Sequence, residues 1–278
     1  MVDKMKGESA IITGSAQGIG KAIAVKFAEE GANVLIVDLD AEKSEETAAE
    51  IREKCPDIKV AVVAGREEGD ITKYENCEKM ATTANDEFGG VTVLVNNAGL
   101  TLDKPVHTLP DAWWEIIINV CLVGSFNMIK ACAPIMQKQK YGCIFNVSSV
   151  SGIQGSAAQI NYSAAKSGLV GLTKATAREL GESNISVNVV GFGPVWTRLI
   201  QPHAEIEIMG QQMAEMKAVS GQDPKQVMGM YKSGIPLCKT RDIPIMPEDV
   251  ANWFVALCSR DAHYMTGQWM VFSGGMIL

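Results

Sequence analysis

The chain has 278 residues, 47% hydrophobic and 21% charged, with a formal net charge of −7 and a sequence pI of about 5.1. That length gives one large, well-buried domain or two modest ones, and the composition is that of an ordinary soluble globular protein. The acidic balance, with no long Lys/Arg block, disfavours a nucleic-acid or anionic-membrane partner.

The apolar run in MVDKMKGESAIITG is too short for a signal sequence, and no stretch of about 18 consecutive apolar residues follows, so a cytoplasmic location is expected. Cys55, Cys77, Cys121, Cys132, Cys143, Cys238 and Cys258 include no C-x-x-C pair, and several fall in apolar runs. They read as reduced, core-filling thiols. His107, His203 and His263 are far apart and pair with no Cys or carboxylate at ligand spacing, so no metal site is expected.

Ala10–Thr13 reads as a short buried strand running into Gly14-Ser15-Ala16-Gln17-Gly18-Ile19-Gly20. A helical pattern follows over Lys21–Glu30, closed by Gly31. Strand, glycine-rich turn and helix form the context of a phosphate-binding loop. Glycines let a pyrophosphate approach the backbone, and the free amides at the helix start attract it. A plain tight turn between strand and helix reads the same way.

The second strand, Asn33–Val37, ends in Asp38, eighteen residues beyond Gly20. A carboxylate there accepts hydrogen bonds from both hydroxyls of an adenosine ribose and repels a 2′-phosphate. No Arg or Lys stands in the glycine turn, and Leu39 and Asp40 follow Asp38, so the cofactor expected is NAD rather than NADP. Asp38 also suits the N-cap of a charged helix over Glu42–Lys54.

Lys59–Val63 is the third strand, and a loop over Ala64–Gly69 leads to Asp70-Ile71-Thr72. Tyr74–Phe88 is a helix closed by Gly89-Gly90, and Val91–Val95 is a wholly apolar strand ending in Asn96-Asn97-Ala98-Gly99. Trp113–Ala131 reads as one long helix interrupted by Asn119, a buried Asn that needs partners, which neighbouring backbone can also supply.

Cys143–Val147 is the fifth strand, with Ser149 just beyond it and a helix over Ser163–Leu180. Tyr162 and Lys166 are four residues apart and share a helical face, so the ammonium lies beside the phenol. A phenol titrates near ~10, and a neighbouring positive charge favours its phenolate. Ser149 then bonds the substrate oxygen that Tyr162 protonates or deprotonates, which is general acid/base work on a carbonyl/alcohol pair. Tyr-x-x-x-Lys also occurs by chance, and Ser-Ser after a strand also serves as a turn or cap.

Ile185–Val190 and Gln268–Phe272 complete about seven strands, apolar at nearly every position and alternating with helices. That pattern is a doubly wound parallel α/β sheet of the Rossmann type, with helices on both faces, in a single domain over 1–278. Val195–Pro247 breaks the alternation, being rich in Met (Met209, Met213, Met216, Met228, Met230, Met246) with helical pieces between Gly210, Gly221 and Gly234. It reads as a substrate loop or lid, or as two small helices with Met as core filler. Its Arg198, His203, Lys232 and Arg241 suit an acidic substrate group or a solvated surface.

Taken together, Thr13-Gly14-x-x-x-Gly18-x-Gly20, Asp70, Asn96-Asn97-Ala98-Gly99, Asn119, Ser149 and Tyr162-x-x-x-Lys166 resemble the short-chain dehydrogenase/reductase family over about residues 8 to 275. The resemblance implies Tyr162 as acid/base, Ser149 as the carbonyl-orienting donor, and Lys166 on the nicotinamide ribose, lowering the Tyr162 pKa. It implies Asn119 as holder of a relay water, and cofactor contacts from Gly14, Gln17, Gly18, Ile19, Gly20, Asp38 and Leu39. Further contacts implied are Asp70 and Ile71 at the adenine, Asn97, Ala98 and Gly99 at the ribose, and Gly193, Val195 and Thr197 beside the carboxamide. A small-molecule substrate and a homotetramer packed through the helices at Trp113–Ala131 and Ser163–Leu180 are implied as well.

Two departures from the family pattern are Phe192-Gly193 in place of Pro-Gly, and Ser273-Gly274-Gly275 in place of Asp-Gly-Gly. The expected activity is NAD-dependent interconversion of a secondary alcohol and a ketone, most like enzymes acting on acetoin and polyols. The alternatives are a 3-oxoacyl thioester or hydroxysteroid dehydrogenase and, from another class, a non-catalytic dinucleotide sensor.

Overall fold

The computed structural model describes residues 3–197, 206–208, 211–213, 229 and 232–277. Strands β1 (Ser9–Thr13), β2 (Asn33–Asp38), β3 (Val60–Ala64), β4 (Val93–Asn96), β5 (Gly142–Ser149) and β6 (Ile185–Phe192) join a last strand, Trp269–Phe272. All pair in parallel, in the order β3-β2-β1-β4-β5-β6 followed by Trp269–Phe272. The chain leaves β3 at one edge and re-enters beside β1 as β4. In an open α/β sheet the crevice outside the strand ends at such a reversal is where ligands bind.

Side-chain alternation explains why the strands are apolar throughout. Ala10, Ile12, Val34, Ile36, Val93, Val95 and Phe145 face one core, while Ile11, Leu35, Val37, Leu94 and Ile144 face the other. Helix α1 (Gly18–Glu29) covers the first core with Ile23 and Phe27, and α2 (Ala41–Lys54) adds Ala48 and Ile51. Helices α3 (Tyr74–Phe88) and α5 (Gly124–Gln139) cover the second with Met80, Met128 and Met136. Full burial of each such side chain contributes roughly 1.5–3 kcal/mol.

The long helix expected over Trp113–Ala131 is three pieces: α4 (Asp111–Ile118), a π-helical turn (Asn119–Val123) and α5. It continues beyond Ala131 and through Pro134 to Gln139, stopping where Lys140 turns left-handed at φ 56°. Buried Cys132 and Met136 hold the turns on either side of the proline. The stretch Asp111–Gln139 is long and apolar enough to cross a membrane by length and composition, and here its α5 part packs on α3.

Helix α6 (Ser151–Gln154) and α7 (Ile160–Leu180) follow β5. Of the Met-rich segment, β7 (Ile206–Ile208) and β8 (Gln211–Met213) pair antiparallel in place of the helical piece expected there, as the alternating β-branched Ile206 and Ile208 favour extended backbone. Arg198, His203, Met209, Met216, Met228 and Met230 lie outside the described residues. Helix α8 (Pro236–Arg241) is a helical piece of the segment, following Gly234, and a helix not anticipated, α9 (Pro247–Cys258), precedes β9 (Trp269–Phe272). Helix α9 starts where proline costs no hydrogen bond, and the Asp249 carboxylate accepts from Met246 N at 2.9 Å. It packs on α1, putting Phe254 against Phe145.

All seven cysteines are free, and six are buried.

Candidate active site

The glycine turn lies at the carboxyl end of β1. Gly14 and Gly18 have φ of +67° and +60°, and a Cβ on Gly14 would stand 2.8 Å from Ala98 Cα. A Cβ on Gly20 would overlap the Gly14 carbonyl. Only glycine allows this close crossing of the β1 and β4 loops. The crossing is pinned by Asn97 Nδ2, which donates to Thr13 O (2.9 Å) and Gly14 O (3.1 Å), and by the Asn97 and Ala98 amides on Thr13 Oγ1 at 3.0 Å each. Gln17 precedes α1 with extended backbone and no side-chain cap, so the first helical amides, Gly18 to Gly20, have no side-chain acceptor among the described residues.

The Asp38 carboxylate accepts from Ala16 N (3.0 Å) and Asp40 N (3.1 Å), which ties it to the glycine turn. Burial pushes its pKa up, while the Ala16, Asp40 and Leu39 amides pull it back. Asp38 is not the α2 cap that the sequence suggested: Asp40 takes that place, accepting from Lys43 N at 3.1 Å. Leu39 and Asp40 separate the end of β2 from α2, so the nearer carboxylate caps and Asp38 stays at the strand tip. Leu39 beside it is 47% exposed. The uncapped helix start, the glycine cradle and the strand-tip carboxylate fit an adenine dinucleotide.

Around this pocket, Asp70 accepts from Thr72 N (3.0 Å) and Thr72 Oγ1 (2.7 Å), and Ile71 packs on Gly124 while its carbonyl accepts from Asn127 Nδ2 at 3.1 Å. Opposite, Gly193 N donates to Phe272 O (3.1 Å), and Val195 bridges Ile245. The Thr197 methyl lies 3.7 Å from where a Gly18 Cβ would stand.

Ser149 ends β5, and Tyr162 and Lys166 lie in the first turns of α7, which packs on β5. Ser149 lies close enough to the phenol for its hydroxyl to pull the Tyr162 pKa down. Lys166 Nζ stands 5.5 Å from the Tyr162 ring centroid and donates to Val147 O at 2.7 Å. A Cβ on Gly99 would be 3.2 Å from that nitrogen, so Lys166 links the acid/base pair to the β4 loop.

The expected lowering of the phenol by Lys166 is not seen. Burial pushes the Tyr162 pKa well up, the Cys121 thiol and Asp103 carboxylate add to this, and only Ser149 pulls it down. Burial likewise pushes Lys166 below the ordinary lysine value. The physical reason is placement: the ammonium lies over the ring and is engaged by the Val147 carbonyl.

Asn119 also departs from expectation, being exposed rather than buried. It opens the π-helical turn, and its carbonyl accepts from Gly124 N five residues on, a geometry that displaces the side chain from the apolar stripe. Phe192 belongs to β6 and packs among Trp253, Phe254 and Phe272. Ser273 is buried, its hydroxyl donating to Ile277 O at 3.3 Å. Lys232 pairs with Asp242 at 2.9 Å, and Arg241 is exposed.

Sequence reasoning missed Asp103, Cys121, Gln159 and Asn161, all of which touch or support these residues. Single polar residues in loops and helix starts carry no periodic signal.

A Rossmann-type sheet with a glycine turn at its carboxyl end, and Ser149, Tyr162 and Lys166 brought together beside it, is the arrangement of a class of dinucleotide-linked oxidoreductases. The comparisons make this specific. A family model described as short chain dehydrogenase matches residues 8–207, and the chain belongs to that family and is an oxidoreductase. Among its relatives is the 3-oxoacyl-[acyl-carrier-protein] reductase FabG of Aquifex aeolicus, 36% identical over 273 residues and 98% of each chain. The FabG of Thermotoga maritima is 32% identical over 275 residues, covering 99% of this chain and all of the relative. A crystal structure of a short-chain type dehydrogenase/reductase from Mycobacterium marinum superposes with TM-score 0.81 at 26% identity, covering 98% of this chain and 96% of that one.

Proposed function

We propose that the protein reduces the ketone of a 3-oxoacyl thioester to the secondary alcohol, and runs the reverse reaction, with NAD(H) as cofactor. The observation that carries the chemistry is the Ser149, Tyr162 and Lys166 cluster at the mouth of the glycine-lined crevice. The substrate class is supported by the FabG relatives, which match this chain along nearly its whole length. The choice of NAD is supported by Asp38, whose fixed carboxylate would meet both ribose hydroxyls and repel a 2′-phosphate.

When bound, the nicotinamide supplies or takes the hydride. In reduction, Ser149 orients the carbonyl oxygen and Tyr162 gives it a proton, which its buried setting keeps on the phenol at neutral pH. Lys166, anchored on Val147 O against Gly99, would hold the nicotinamide ribose and restore charge as the phenol loses its proton. The Asn119 carbonyl would hold a water feeding Lys166. Gln17, Gly18, Ile19 and Gly20 would hold the pyrophosphate, with Leu39, Asp70 and Ile71 at the adenine, Asn97, Ala98 and Gly99 at the ribose, and Gly193, Val195 and Thr197 at the carboxamide.

A second reading, an uncharged secondary alcohol such as a diol, is favoured by one observation: Lys232 is already paired with the Asp242 carboxylate at 2.9 Å. We also propose one catalytic domain with 195–247 as its substrate loop, a cytoplasmic setting, and a homotetramer. The exposed Trp114, Phe126 and Ile160 support subunit packing through α4, α5 and α7.

Following NADH and NADPH consumption against 3-oxoacyl thioesters, diketones and 3-oxosteroids tests the reading. Preferred turnover of the thioester with NADH supports it. Preference for a diketone substitutes the second reading, and preference for NADPH removes the Asp38 argument.

A further inference from the structure

A hydrogen-bonded chain, separate from the Ser, Tyr and Lys cluster, ends on it. Asp103 lies in the loop after β4, four residues past Gly99. Its Oδ2 accepts from Gln159 Nε2 at 2.9 Å, and the Gln159 carbonyl accepts from Ser151 Oγ at 3.1 Å. Ser151 is itself bonded by Ser156 Oγ at 2.9 Å, and its amide donates to Ser149 Oγ at 3.1 Å. Two further bonds clamp the same loop to the start of α7. Lys104 N donates to Ala158 O (2.8 Å), and Asn161 Nδ2 donates to Leu102 O (3.1 Å) while its Oδ1 receives the Tyr162 amide at 2.8 Å. The other oxygen of Asp103 is enclosed and has no hydrogen-bond partner among the described residues.

We propose that Asp103 and Gln159 are positioning residues of the acid/base group: together they fix Ser149 and the first turn of α7, and the Asp103 carboxylate helps to hold the proton on Tyr162. This rests on the proton-donor role of Tyr162 proposed above. An amide cannot pass a proton along, so the chain orients groups and transmits charge; it is not a relay.

The groups facing the phenol bear this out. Lys166 comes from its own helix but bonds Val147 O, Cys121 comes from the π-helical turn, Ser149 from β5, and Asp103 from the β4 loop. The remaining charged groups of that loop, Lys104 and His107, are exposed, and Lys104 Nζ is 5.8 Å above the Trp113 ring. Asp103 is thus the carboxylate joined to Ser149, beside the phenol, through Gln159 and Ser151, and its charge disfavours phenolate. Burial raises the pKa of Asp103 itself, while the Gln159 and Thr101 side chains pull it back.

The test is kcat/KM against pH in both directions at saturating cofactor, for the wild type and the Asp103→Asn, Asp103→Glu, Gln159→Leu and Tyr162→Phe variants. Asp103→Asn keeps the shape and removes the charge, so the limb belonging to Tyr162 moves down by about 0.5–1 pH unit. In Asp103→Glu the charge stays and the limb holds its wild-type position. Gln159→Leu lowers kcat about tenfold through lost alignment, with NADH affinity unchanged. A limb that stays put in Asp103→Asn while Tyr162→Phe abolishes turnover overturns this inference alone. Should Asp103→Asn not fold, unaltered kcat in Gln159→Leu overturns it equally. Full activity in Tyr162→Phe would instead overturn the underlying reading.

Discussion

Asp38 is the residue on which the proposed preference for NAD over NADP turns. Its oxygens are held by the Ala16 and Asp40 amides, so it cannot swing away from a ribose 2′-phosphate, and Leu39 next to it offers no positive charge. Replacing Asp38→Ala together with Leu39→Arg is expected to move the ratio of kcat/KM for NADPH over NADH upward by at least ~10²-fold. A ratio that does not change would show that another residue reads the ribose. At this scale the glycine turn, Asp38, Ser149, Tyr162 and Lys166 were legible because spacing carries their meaning. The state of the phenol was not: whether Lys166 or burial dominates depends on where the ammonium points, which the i, i+4 spacing leaves open. Asn119 was misjudged for a similar reason, since its apolar neighbours implied burial and the π-helical turn rotated it outward.

Elements carry the site by holding β4, β5 and α7 in register. Asn96 Nδ2 donates to Asn146 Oδ1 at 2.9 Å, and Asn146 Nδ2 donates to Thr173 Oγ1 at 2.9 Å, all fully enclosed between the strands and α7. Asn146→Ala strands the partners on both sides and is expected to cost about 1–3 kcal/mol in urea unfolding. A change below about 0.5 kcal/mol would mean that the chain does not join the helix to the sheet. The strands were readable because parallel strands covered on both faces are apolar at every position. Helix α9 went unrecognised although Pro247, Glu248 and Asp249 form an N-terminal signature, and the end of α5 was misplaced because tertiary packing of Met136 carries the helix past Pro134.

For the whole molecule, sheet order and crossover place every strand end that matters at one edge, so the chemistry follows from topology as much as from residue type. The exposed apolar residues on α4 to α7 lie on the side away from the sheet core, where Phe126 is 47% exposed. Phe126→Asp is expected to lower the mass found by light scattering from that of the proposed tetramer toward dimer or monomer, whereas an unchanged mass would place subunit contacts elsewhere. The central claim is that the Tyr162 phenol trades a proton with the substrate oxygen. Its most direct measurement is turnover together with NADH binding in Tyr162→Phe: the account predicts a loss of about 10²–10⁴-fold in kcat with NADH affinity intact, and near-normal kcat would contradict it.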